Sequence, residues 1–132
     1  MKSGIYTVMT TPTAVDVGGV LPLGSTYHRF GQNIFQNGDS ISVRGEGYYE
    51  VNASITVVAT AAGTISVTLY RDGVPVPGAV AVETKGAAGD DANLSITAMI
   101  RNQCCRESSN LTLVLGGTDA TVSNVALMVD KA

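Results

Sequence analysis

The chain has 132 residues, of which 14% are charged, with a net charge of -3, 15 glycines and no tryptophan. That length suits one domain able to bury roughly 65–70% of the surface its unfolded form exposes, without disulfide or metal staples. Eight basic against eleven acidic residues argue against a nucleic-acid surface, and 45% apolar content with so little charge argues against disorder. There is also no run of ~18 apolar residues to cross a membrane as a helix.

Taken in order, Gly4–Thr10 alternates and is expected to be the first strand, closed by Thr11-Pro12-Thr13. No apolar signal-peptide core precedes it, so the product is expected to be made in a cytoplasm and to leave only by lysis or within a larger particle. Ala14–Val17 reads as a short extended piece turned by Gly18-Gly19, and Val20–Ser25 as irregular because Pro22 cannot sit in a central ladder. Tyr27–Phe30 and Ile34–Gln36 are expected as short strands, with the turn Asn37-Gly38-Asp39 leading to Ser40–Val43. The first 35 residues are expected to be irregular and to serve as an attachment arm of a single domain spanning 1–132.

The chain is organised around Gly45–Val58. Tyr49, Val51, Ala53, Ile55 and Val57 fall on one side of it, and Tyr48, Glu50, Asn52, Ser54 and Thr56 on the other, which is strand geometry. Thr64–Tyr70 alternates next and ends at Arg71-Asp72-Gly73, whose Asp-Gly pair predicts a tight hairpin. Pro75 and Pro77 predict an extended, unladdered connector over 73–78, followed by a strand over 79–85 with Val80 and Val82 in phase. Ala92–Arg101 alternates with Leu94, Ile96, Ala98 and Ile100 inward. Residues 102–110 read as a polar loop, Leu111–Leu115 as a strand, and 122–129 as the last strand, with Val125, Leu127 and Val129 against Asn124, Ala126 and Met128. No helical periodicity appears. The expected fold is all-β, a jelly-roll sandwich of about 8–10 antiparallel strands.

Chemistry-bearing signals are sparse. One histidine, His28, and carboxylates placed in turns give no catalytic constellation, so no enzyme and no cofactor are expected. Asp90-Asp91 in a glycine-rich loop lacks the further acidic ligands of a Ca²⁺ site, and no metal is expected. The adjacent Cys104 and Cys105 are expected to be reduced thiols, since a vicinal bridge is strained. Three Asn-x-Ser/Thr sequons, at Asn52, Asn93 and Asn110, read as chance without a secretory route. Tyr27, His28, Phe30 and Phe35 are the candidate exposed contacts, with a host-surface glycan as one partner class.

Gly47-Tyr48-Tyr49-Glu50-Val51-Asn52, the run Gly63 to Gly78, and the closing segments Leu111–Leu115 and Asn124–Lys131 resemble the trimeric jelly rolls of the tumour-necrosis-factor/complement type. This group includes the heads of collagen-like spore-surface glycoproteins. With Ser3–Thr7 and Gly31-Gln32-Asn33, the chain is also similar to small virion proteins of tailed phages. The resemblance implies a homotrimer packed through one sheet face, with Tyr48, Tyr49, Val125, Leu127 and Met128 as candidate interface residues. It further implies a structural virion role, a capsid decoration or a head or tail fibre module contacting phage capsid or tail proteins. A receptor- or carbohydrate-binding head and a bacterial spore or surface structural protein are the alternatives.

Overall fold

The computed structural model describes residues 2–103 and 108–132, so Cys104 and Cys105 lie outside the described residues. Eleven antiparallel strands pack as two sheets. The first sheet runs β3 (Ser25–Phe30), β1 (Gly4–Met9), β11 (Ala120–Lys131), β6 (Gly47–Ala59), β9 (Asp91–Asn102), and the short β2 (Thr13–Val15) adds to β11. The second runs β4 (Ile34–Asn37), β5 (Ser40–Val43), β10 (Ser109–Gly117), β7 (Gly63–Arg71), β8 (Val74–Lys85). From β5 onward the chain passes from sheet to sheet at every connection except the β7–β8 hairpin.

The strand alternation predicts the packing. In β6, Tyr49, Val51, Ala53, Ile55, Val57 and Ala59 are buried, while their neighbours face outward. Facing them from the other sheet are Ile65, Val67 and Leu69 of β7 and Leu111, Leu113 and Leu115 of β10. Each such side chain contributes roughly 1.5–3 kcal/mol by leaving water. The core is therefore built from many branched aliphatics and a single buried aromatic, Tyr49. Its hydroxyl donates to the carbonyls of Arg44 and Gly45 at 2.5 and 3.0 Å, which ties the turn entering β6 to the strand itself.

Burial raises the Tyr49 pKa above its ordinary value of 10.0, because the charged phenolate is poorly solvated there. A raised folded pKa means that stability is untouched below the unfolded value and falls as pH climbs from about 10 toward the folded value. The loss of denaturation midpoint between neutral and strongly alkaline pH should therefore be smaller in Tyr49→Phe than in the parent chain.

The Asp72-Gly73 hairpin forms as expected, with Arg71 opposite Val74 and both turn residues at positive φ, 51° and 81°. The connector expected after it is instead part of β8. Val74 and Pro75 pair with Arg71 and Tyr70, the chain swings out over 76–79, and pairing resumes at Val80 opposite Thr68. Proline is tolerated because β8 is an edge strand and the excursion needs no ladder bonds there. The excursion also sets the phase: Ala79 is buried and Ala81 packs on the core, while Val80 and Val82 point outward.

The first 35 residues are not an arm. β1 is flanked on both sides by β3 and β11, and Leu21, Leu23 and Ile34 are core side chains. Val20–Gly24 is irregular as expected, while Ser25 already pairs with Val8 in β3; the stretch is attached by a single bridge from Val20 to Val114 and by Leu21 N–H donating to the Leu113 carbonyl at 2.8 Å.

One end of the sandwich holds a buried polar knot. Asn102 Oδ1 accepts from Arg71 Nη2 at 2.7 Å and from Ser109 Oγ at 3.0 Å, while Asn102 Nδ2 donates to the Val43 carbonyl at 3.3 Å. Both Asn102 and Ser109 are fully buried, so the end of β9, the start of β10 and the end of β5 are joined by bonds shielded from water. Asn102→Ala should lower the unfolding free energy by about 1–3 kcal/mol, read by urea denaturation, because the buried Ser109 hydroxyl loses its acceptor and the buried Val43 carbonyl its donor.

Candidate functional site: the outer face of the β1–β11–β6–β9 sheet

Strand register lines up the outward side chains of the first sheet in rows. One row is Tyr6, Met128, Asn52, Thr97; the next is Val8, Ala126, Ser54, Ser95; a third is Asn124, Thr56, Asn93. None of these residues is charged. Two polar pairs are satisfied within the face, Thr56 Oγ1 donating to Asn93 Oδ1 at 3.0 Å and Thr97 Oγ1 to Asn52 Oδ1 at 3.3 Å. The middle row is small, so another flat surface could approach the backbone closely. Charge appears in the rows beyond, where Glu50 and Asp130 are register partners and Arg101 lies opposite Tyr48.

Large side chains stand at the margins of this plateau. Met99 is 57% exposed, Tyr48 49% and Met128 39%. The Arg101 guanidinium sits 5.6 Å from the Tyr48 ring centroid, a cation–π contact that holds the ring upright. Beside Met99 and Arg101, the β8 excursion leaves a cleft of about 340 Å³ walled by Val74, Pro75, Val76 and Pro77.

Of the candidate interface residues, Tyr48 and Met128 are on this outer face. Tyr49, Val125 and Leu127 are not: they point between the sheets, at 0%, 0% and 2% exposure, and reach no partner without unpacking the core. The alternation along β11 is as expected, but the apolar phase faces the opposing sheet and the Asn124–Ala126–Met128 phase faces out. Met99 was not singled out from the sequence. Its outward phase follows from the inward run Leu94 to Ile100, and an exposed methionine amid small polar residues was the available signal.

Tyr27, His28 and Phe30 are all exposed on β3. Tyr27 is the extra residue where the register slips from Tyr6–His28 to Thr7–Thr26, and its ring lies edge-on to Tyr6 at 6.0 Å and to His28 at 4.5 Å. Phe35 is only half-buried and is covered by the Arg29 and Arg44 guanidinium groups, 4.0 and 5.0 Å from its centroid. Asp90 and Asp91 stand where the chain enters β9, and among the described residues no group of three or more His, Cys, Asp or Glu side chains is placed to hold a metal.

No family model matches the sequence, and no curated protein matches it. Solved structures do match over essentially the whole chain. Murine APRIL superposes with a TM-score of 0.75 at 14% identity, covering 100% of both chains. The globular domain of zebrafish complement 1qA gives 0.70 at 5% identity, over 96% of this chain and 94% of that one. Vertex protein P5 of the phage PRD1 gives 0.58 at 11% identity, over 98% and 95%. The fold is thus a jelly-roll sandwich, similar to those of APRIL and the complement 1qA globular domain.

Proposed function

We propose that the chain is a non-enzymatic structural module that assembles as a homotrimer through the outer face of the β1–β11–β6–β9 sheet. In this reading it decorates a larger particle, the virion of a tailed phage, as a capsid decoration or as part of a head or tail fibre. The observation that carries the proposal is the plateau itself: three successive rows of outward residues without a charge, with exposed Met128 in the first row and exposed Met99 and Tyr48 in the rows beyond. A monomer gains nothing from keeping such a surface in water, whereas an interface core is depleted of charge and rich in Met and Tyr. The likeness in fold to APRIL, complement 1qA and the PRD1 vertex protein supports a compact module working in an assembly. A closed ring of three heterologous contacts would bury one such face per copy and end growth there.

The particle assignment is tested by quantitative mass spectrometry of purified virions from the source genome's phage. The chain should be present in multiples of three per particle. Its absence from intact, infectious particles would remove the virion role.

A further inference from the structure

The strand β3 rim carries a second feature, which adjoins the uncharged plateau at Tyr6 and Met128. Phe30 is 56% exposed although the core needs nothing from it, since every residue of β3 is exposed. Its ring lies across Gly4, its register partner. A β-carbon at position 4 would stand 2.5 Å from the Phe30 ring and 2.6 Å from Asp130 Oδ1, so glycine is what lets the ring and this carboxylate lie side by side. The ring is the common wall of two hollows that also share Asp130. The smaller, about 80 Å³, is lined by Tyr6, His28 and Met128; the larger, about 380 Å³, by Lys2, Glu50 and Lys131.

The polar groups here are uncommitted. Among the described residues, neither carboxylate and neither ammonium takes part in an ion pair; the recorded pair is Lys85–Glu83, far away on β8. The charged side chains here, two acids and two bases, balance, so they give no net attraction for a strongly charged ligand. What remains is an exposed flat ring beside acceptors and donors at several heights, in concave surroundings. That combination suits a molecule with one C–H-rich face and a rim of hydroxyls.

We propose that the hollows around Phe30 bind a neutral pyranose sugar. The ring's apolar face stacks on Phe30, Asp130 and Glu50 accept from its hydroxyls, and Lys131 or Lys2 donates to them. The site lies toward the β3 edge of the sheet, and its smaller hollow shares Tyr6 and Met128 with the plateau. In a trimer, three such sites on one body would raise avidity for a repeating polysaccharide.

Saturation-transfer NMR on the intact chain tests this with free methyl glycosides of glucose, galactose, mannose, N-acetylglucosamine and rhamnose. Transfer to the ring protons of at least one is expected. Phe30→Ala should weaken it about tenfold, the worth of one stacked ring, and the near-isosteric Asp130→Asn should weaken it too. Val82→Ser, on the opposite sheet, should leave it unchanged. Solution mass is read on the same samples, so that a loss of assembly is not mistaken for a loss of binding. No transfer from the parent chain to any of the five glycosides, or transfer that survives both rim substitutions, overturns the proposal. Asp130→Asn decides the matter if Phe30→Ala does not fold.

Discussion

Leu69→Ala and Ile55→Ala are each expected to lower the unfolding free energy by about 2–5 kcal/mol. Both side chains are fully buried. Leu69 lies opposite Leu113 on β7, and Ile55 lies between Val125 and Leu94 on β6. Each loses the transfer free energy of its methyl groups and leaves a cavity. How far that cavity can close decides where in the range the cost falls. Ile55 is on a strand paired with β11 and β9, and Leu69 is paired with Leu113 of β10 and faces the β8 excursion on its other side, so the backbone at Ile55 moves in less easily. The surrounding side chains are branched aliphatics with few rotamers to reach across a gap. A loss of this size is a large share of the stability of an ordinary domain, about 5–15 kcal/mol. Urea denaturation at one fixed protein concentration measures it, since assembly would make the midpoint concentration-dependent. A cost near zero for either variant would show that its strand faces the other way.

Ser54→Lys is expected to abolish assembly while leaving the monomer's fold intact. Ser54 is exposed in the single chain, between Ala126 on β11 and Ser95 on β9. A surface substitution of this kind usually changes monomer stability by no more than about 0.5 kcal/mol. In a trimer closed through this face, each ammonium would be buried without a partner, and an uncompensated buried charge costs about 3–5 kcal/mol. Three would be introduced at once. The mass in solution should fall from three chains to one, with an unchanged circular-dichroism spectrum. Thr112→Lys, on β10 of the other sheet, should leave the mass as it was. Equal behaviour of the two variants would move the contact away from the plateau.

Much of the fold was legible because a two-sheet sandwich leaves one face of each strand in oil and the other in water. That is why the strands expected from alternation over 45–58, 64–70 and 92–101 are found at 47–59, 63–71 and 91–102. β8 read less well. Val80 and Val82 are outside while Ala79 and Ala81 turn inward, because a four-residue excursion over 76–79, containing Pro77, resets the phase on an edge strand that has little core to fill. Hydrophobicity ranks valine above alanine, but the available space ranks them the other way. The N-terminal segment was misjudged for a different reason. The strand Gly4–Met9 was readable, but its pairing with residues more than a hundred positions away was not.

The interface residues show the same division. The alternation in 122–129 already separated Val125 and Leu127 from Met128, but which phase met the other sheet was fixed by packing. Of the rim hollows, only Phe30 and His28 were legible, as exposed aromatic contacts; the residues around them were not. Phe30, Gly4, Asp130 and Glu50 share a row only because β3, β1, β11 and β6 are neighbours in that register. Nothing in the local sequence around any of the four announces the others.

The central claim is that the uncharged plateau is an interface among three copies. Light scattering behind a sizing column measures it directly on the purified chain. The account predicts a particle of about three times 13.6 kDa, stable on dilution. A monomer of one chain mass at every concentration would contradict it and would leave the plateau as a surface for some other partner.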